Sequence, residues 1–314
     1  MADTSKPLDV LVVGELNIDL VLLDVPMPVY EQEQLAGDMR FAMGSSSAIT
    51  AHNLSMIGSH VGFLGKAGQD PFGDFMIAGL QSAGVVTDPV IRSADLKTGA
   101  TVVIANPPQK ALLTYMGAMS ELRLEDIDPA ILGSARHLHL GCFFLQPGIR
   151  PDVGKLFRKA REMGLTTSLD TNWDPDDVWG EDLSLALDHT DIFFPNEDEA
   201  RRIAGSDDLE TAMERLKDRV PVLAVKCGGD GSVLWADDQR WTHPGFRTTV
   251  KETTGAGDSF NAGFLHRYLR GGSWEECLDF GNRCGALAVT EMGGTGAFRD
   301  RETLHHQLNG MDLR

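Results

Sequence analysis

Short unbroken apolar runs recur along this chain, and helical patterns lie between them. Leu8–Val13 ends at Gly14, and similar runs stand at Val61–Leu64, His137–Leu140, Leu165–Leu169, Ile192–Phe194 and Val222–Val225. A strand that is apolar on both faces has to be covered on both faces, which is the situation of a central parallel strand. The intervening patterns supply that cover. One follows Asp70-Pro71 and places Phe72, Phe75, Met76 and Leu80 on one face; others run over Val153–Met163 and Leu209–Leu216. Strands alternating with helices predict an α/β fold, a doubly wound and mostly parallel sheet in three layers. The 314 residues allow two domains by length alone, but no linker, repeat or low-complexity tract divides them, so residues 1–314 read as one domain.

Two stretches break the rhythm. Residues 20–41 and 98–116 are β-rich and have no partner helix. In the second, Thr101-Val102-Val103-Ile104 and Ala111-Leu112-Leu113-Thr114-Tyr115 flank Asn106–Lys110, the pattern of a hairpin. Such segments form either an edge extension or a lid.

The formal charge of −18 argues against nucleic acid or an anionic membrane as a partner. The acid clusters Asp174–Asp177 and Asn196–Glu199 read mostly as solvated surface. Cys142, Cys227, Cys277 and Cys284 include no Cys-x-x-Cys pair and fit no zinc-ligand spacing; buried free thiols in a reducing cytosol are expected. The N-terminus lacks a basic region, and Glu15 and Asp19 break the apolar run that follows it, so neither a signal peptide nor a membrane span is expected.

The chemistry concentrates at Thr253-Thr254-Gly255-Ala256-Gly257-Asp258. Phe260, Phe264, Leu265, Tyr268 and Leu269 recur at one-face spacing after it, so a helix begins here and stops at Gly271-Gly272. A helix start presents unpaired N–H groups and partial positive charge to an anion. Glycines there let the anion reach the backbone. Asp258 would repel a phosphate that merely sat in such a cradle, but it suits the removal of a proton during phosphoryl transfer. The same residues also fit a glycine-bearing helix cap with a favourable first-turn acid.

Val250–Phe264 resembles the C-terminal signature of the ribokinase (PfkB-type) family of carbohydrate and nucleoside kinases. Four further stretches resemble family motifs, in family order: Gly14–Asp19, Gly44–Gly58, Pro195–Glu199 and Lys226–Gly231. The resemblance implies ATP-dependent phosphorylation of a hydroxymethyl group on a small sugar. Asp258 would be the base, and Gly255, Ala256 and Gly257 the anion hole. It places Asp19, Asn17, Gly44, Ser45, Ser46 and Asn172 on the sugar. It places Lys226, Gly228, Gly229, Gly231, Thr254, Gly257 and Asn282 on the nucleotide, and Asn196 and Glu199 on Mg²⁺, largely through water. Asn196 with Glu199 also fits a capping box. The β segments would close over the sugar as a lid and serve as a dimer clasp.

Departures from the family pattern bear on specificity. Ser45 stands at the family's second glycine, and Ile49 at an Asn that contacts substrate hydroxyls; Asn53, one turn on, is a candidate to compensate. In Asp170-Thr171-Asn172-Trp173-Asp174, which resembles a stretch of fructokinase and 2-keto-3-deoxygluconate kinase relatives, Asp174 replaces an Arg, which argues against a sugar acid. Trp173 could stack on a sugar. Glu252 replaces an Asp of a monovalent-cation site and leaves K⁺ dependence open. Two rivals stay: a nucleoside kinase, for which Ile49 makes room, and a sugar- or nucleotide-sensing homologue. A nicotinamide oxidoreductase is disfavoured, because no Gly-x-Gly-x-x-Gly follows the first strand.

Overall fold

The computed structural model describes residues 6–106 and 109–311. Its strands are β1 Leu8–Val13, β2 Asn17–Leu23, β3 Asp38–Met43, β4 Val61–Leu64, β5 Lys66–Gly68, β6 Ile91–Ser93, β7 Gly99–Asn106, β8 Gln109–Tyr115, β9 Ala135–Leu140, β10 Thr166–Leu169, β11 Ile192–Phe193, β12 Val222–Lys226, β13 Ser232–Ala236 and β14 Gln239–His243. The α-helices are α1 Ser46–Met56, α2 Pro71–Ser82, α3 Pro129–Gly133, α4 Val153–Glu162, α5 Glu181–Leu187, α6 Glu197–Ala204, α7 Leu209–Leu216, α8 Ala256–Tyr268, α9 Trp274–Ala288 and α10 Arg301–Asn309.

Eight strands form the main sheet, in the order β14-β13-β12-β11-β10-β9-β1-β4. The pairs from β12 to β4 are parallel, and β13 and β14 add an antiparallel edge. Successive side chains of a strand point to opposite faces. Val10 and Val12 therefore join the core packed under α1, α8 and α9, while Leu11 and Val13 join the core under α4 and α5. This is the expected three-layer α/β arrangement with apolar strands covered on both sides.

A separate four-stranded sheet, β3-β2-β7-β8, stands off the main body. The expected hairpin is β7 with β8, Asn106 opposite Gln109; residues 107 and 108 of its connection lie outside the described residues. One correction follows from this sheet. Met76 and Leu80 of α2 enter the core, but Phe72 and Phe75 stay more than a third exposed. Their rings pack instead on Phe41 of β3, with centroids 5.8 and 4.6 Å apart, so α2 serves both the core and the second sheet.

A second correction concerns the acid clusters. Asp174 and Glu199 are buried, at 2% and 3% exposure. Asp174 accepts the N–H groups of Asp176, Val178 and Trp179 and so folds its own turn. All four cysteines are free and buried, as expected. No helix among the described residues is long and apolar enough to cross a membrane.

Candidate active site

Ligands of open α/β sheets bind beyond the carboxyl ends of the strands, where helix starts also point. The residues singled out in the sequence gather there. Asp170 and Asn172 follow β10, Asn196 follows β11, Lys226 ends β12, and Asn17 and Asp19 open β2 of the second sheet.

Helix α8 begins at Gly255, whose φ of 77° lies in the left-handed region that favours glycine. A Cβ there would also run into the backbone of Gly294. Asp258 lies in the first turn and is 8% exposed. Burial pushes its carboxyl up to about 8, the charge of Asp170 adds to the rise, and Lys226 opposes it. The Ser46 hydroxyl is close enough to draw the Asp258 carboxyl slightly down, and Asn172 donates its Nδ2 to Ser46 Oγ at 2.5 Å. Ser46 thus joins two expected site residues from separate elements.

On the second sheet, Asn17 donates Nδ2 to Asp19 Oδ1 at 3.1 Å and to Thr101 Oγ1 at 3.3 Å. A Cβ at Gly44 would collide with the side chains of Asp19 and Asn17, so a larger residue here would displace them. Burial, followed by the nearby charge of Glu252, raises Asp19 to about 6.

On the far side of α8, a cleft of about 230 Å³ is lined by Lys226, Gly228, Gly229, Gly231, Gly257 and Asn282, all expected from the sequence. Gly245, Phe246 and Thr248 also line it and carry no motif of their own, whereas Val250, Thr253 and Ala256 come from the signature stretch. Asn282 spends its NH₂ on Ser232 Oγ at 2.6 Å and on the Leu278 carbonyl at 2.8 Å.

Several expectations change at atomic detail. The Ser45 hydroxyl does not turn to the substrate side. It donates to the Glu15 carbonyl at 2.6 Å and accepts the Ala48 N–H at 2.9 Å, capping α1. Ser45 keeps the left-handed backbone of the glycine it replaces, with φ of 68°. Thr254 does not line the cleft; its hydroxyl donates to Glu252 Oε1 at 2.6 Å. Asn53 does not compensate for Ile49, because its Nδ2 donates to Ser259 Oγ and the Gly294 carbonyl, both at 2.9 Å. Ile49 is 2% exposed and packs beneath Gly294, where a Cβ would strike its side chain. It offers no face to a ligand. Trp173 is 46% exposed and stands edge-on to Trp179, with centroids 5.3 Å apart.

Asn196 and Glu199 form a full capping box on α6: Asn196 Oδ1 accepts the Glu199 N–H at 2.9 Å, and Glu199 Oε2 accepts the Asn196 N–H at 2.8 Å. Burial, then the charge of Asp170, raises Glu199 to about 7. Among the described residues no group of three or more His, Cys, Asp or Glu side chains is placed to hold a metal.

Sequence reasoning missed two buried carboxylates. Glu15 sits against the N–H and hydroxyl of Ser47, and burial raises its carboxyl. Asp170 forms an ion pair with Lys226, Nζ to Oδ2 2.6 Å. Asp170 directly follows a strand run and Glu15 follows one after Gly14, and both lie in stretches that resemble family motifs, but nothing in the sequence paired either with its partner.

A glycine-rich helix start, a buried carboxylate in its first turn, and Asn17 and Asp19 on the second sheet are chemically suited to phosphoryl transfer. Residues 7–301 match the family described as pfkB family carbohydrate kinase. The chain belongs to this family. It is a carbohydrate kinase, a phosphotransferase with an alcohol group as acceptor. It is 31% identical to an ATP-dependent ribose-1-phosphate kinase of Halopiger xanaduensis over 92% of this chain and 94% of that protein. It is 32% identical to an uncharacterized sugar kinase of Archaeoglobus fulgidus over 76% of this chain and 95% of that one. It is 26% identical to a 5-dehydro-2-deoxygluconokinase of Photobacterium profundum over 96% of this chain and 94% of that one. Among solved structures, Arabidopsis thaliana ribokinase complexed with ribose and ATP superposes with a TM-score of 0.85 at 24% identity, covering 96% of this chain and 98% of that one. A putative ribokinase II from E. coli in complex with ATP and Mg²⁺ gives 0.86 at 22% identity, covering 96% and 99%. This carbohydrate kinase therefore has the ribokinase-like fold.

Proposed function

We propose that this kinase transfers the γ-phosphoryl group of ATP to a hydroxymethyl group of a small sugar, with Asp258 as general base. The observation that carries the reading is the position of Asp258, buried in the first turn of α8 and next in sequence to Gly257, which lines the cleft. The sugar hydroxyl gives its proton to Asp258, its oxygen attacks the γ-phosphorus in line, and ADP leaves. The amides of Gly255, Ala256 and Gly257 stabilise the charge that develops on the phosphoryl oxygens. Asp19 and Asn17 hold the sugar, with Ser46 and Asn172 beside the reacting hydroxyl. Gly228, Gly229 and Gly231 let the nucleotide lie close to backbone.

The ATP-dependent ribose-1-phosphate kinase relative supports ATP as donor, and the E. coli complex with ATP and Mg²⁺ supports that ion. Oxygen donors with few direct protein ligands suit a hydrated Mg²⁺ that neutralises phosphate charge. Asn196 and Glu199 would hold its water shell. Each carboxylate oxygen of Glu252 already accepts one hydrogen bond, from the Thr254 hydroxyl and the Gly293 N–H, which weighs against a family-type K⁺ site.

A nucleoside acceptor rested on a less polar contact at Ile49, and the burial of Ile49 beneath Gly294 removes that support. ADP release from ATP and Mg²⁺ over a panel of sugars, sugar phosphates, sugar acids and nucleosides tests the proposal. Turnover of a sugar that Asp258→Asn abolishes is expected; turnover confined to nucleosides overturns it.

A further inference from the structure

An ion pair lies beneath the turn that opens α8. Lys226 ends β12, and its Nζ donates to Asp170 Oδ2 at 2.6 Å. The same oxygen accepts Asn261 Nδ2 at 2.5 Å, three residues along α8 from Asp258, and Oδ1 accepts the Asn172 N–H at 3.1 Å. Asp170 is 2% exposed. Lys226 Nζ lies only 3.4 Å from the place a Cβ on Gly257 would occupy, and Lys226 also lines the cleft. The ammonium is thus pressed against the glycine turn from below.

Stability alone does not account for such a pair. Replacing a buried ion pair by well-packed apolar residues is often neutral or stabilising. A charge fixed in a dry site is valuable where negative charge grows during a reaction. We propose that Lys226 is a further catalytic residue whose ammonium faces the transferring phosphoryl group through the glycine turn, and that Asp170 is the positioning residue that holds it there. The inference rests on the kinase reading above and adds to it a charged floor for the anion hole.

The geometry explains the shape of the network. A lysine stem alone is flexible; the carboxylate at its tip fixes the ammonium, and Asn261 and Asn172 fix the carboxylate. The groups facing Asp258 are Asp170 beyond β10, Lys226 on β12, Glu15 beyond β1 and the Ser46 hydroxyl on α1. Of these charges, only Lys226 favours the ionised base, whereas Asp170 and Glu15 oppose it. The two members of the pair therefore act on Asp258 with opposite sign.

The test compares Lys226→Met, Asp170→Asn and the double variant on the sugar that the wild type turns over. Lys226→Met is expected to lower kcat by about 100-fold with little change in KM for the sugar. The acid limb of kcat/KM should move up by about one pH unit in Lys226→Met and down in Asp170→Asn. The double variant removes both members of the pair together, so neither is left buried without the other, and it should fold and still show the kcat loss. An acid limb unmoved in both single variants, with activity falling only as Tm falls, overturns the proposal. Wild-type kcat in the double variant overturns it as well. Calorimetry without turnover gives an independent reading: Lys226→Met should weaken ATP by about tenfold and ADP little. Equal weakening of both nucleotides overturns the proposal. A wild type that phosphorylates no panel member sinks the kinase reading and leaves this nucleotide comparison to judge Lys226.

Discussion

Glu252 Oε2 accepts the N–H of Gly293 at 2.8 Å, while Oε1 accepts the Thr254 hydroxyl at 2.6 Å. A carboxylate one methylene longer than Asp thus latches the loop before α8 to the glycine-rich loop at 293–296. On the reading proposed above, this latch takes the place of a cation in holding the two loops together. Activity should be the same in sodium, potassium or tetramethylammonium salts at equal ionic strength. Glu252→Ala should lower kcat/KM, because the Gly293 N–H and the Thr254 hydroxyl lose their acceptor. A steep rise in wild-type rate with K⁺ would contradict this account.

Asp258→Asn is expected to retain ATP binding and to lose about 10²–10⁴-fold in kcat, the usual worth of a general base. Wild-type turnover in that variant would remove Asp258 from the mechanism.

The same residue sets a pH dependence. Asp258 is pushed up to about 8, mainly by burial, so much of the free enzyme carries it protonated at neutral pH. The kcat/KM profile should rise through an acid limb near 8. The linkage has a definite sign. A carboxyl raised above its unfolded value favours the folded state at pH below that unfolded value and loses this contribution as pH climbs through the folded one. Asp258→Asn should therefore raise Tm at pH 9 and leave it unchanged near pH 3, as differential scanning calorimetry would show.

Ser45 combines a left-handed backbone with a capping hydroxyl. Ser45→Ala keeps the strain and loses the cap, for a cost of about 1 kcal/mol or more; Ser45→Gly loses the cap but relieves the strain, for a few tenths. Urea denaturation should rank Ser45→Ala as the less stable. The reverse order would refute the assignment of the cap.

The second sheet leaves Leu113 and Tyr115 largely exposed, at 61% and 56%. A homodimer formed through this sheet would cover them. Leu113→Asp should then elute as a monomer in size-exclusion chromatography where the wild type elutes as a dimer. A monomeric wild type would dismiss the dimer.

The sequence by itself determined the layers. Apolar runs such as Leu8–Val13 and Val222–Val225 cannot be left with a bare face, so they dictate a parallel sheet sandwiched by helices. It also located the residues at Gly255–Asp258, because a glycine-rich helix start is a local matter of backbone. Tertiary structure decided which side chains had free atoms left to offer. Ser45, Thr254 and Asn53 read as ligand groups by position, but each finds a closer internal partner, Glu15, Glu252 and Ser259 respectively. The Ser45 and Asn53 pairs span 30 and 206 residues and leave no periodic trace; the Thr254 pair spans only 2, but which way its hydroxyl turns is not a matter of periodicity. Asp170 is the sharpest case: its meaning depends on Lys226, 56 residues away, and on Asn261, 91 residues away, which only the packing of β10, β12 and α8 brings to one carboxylate.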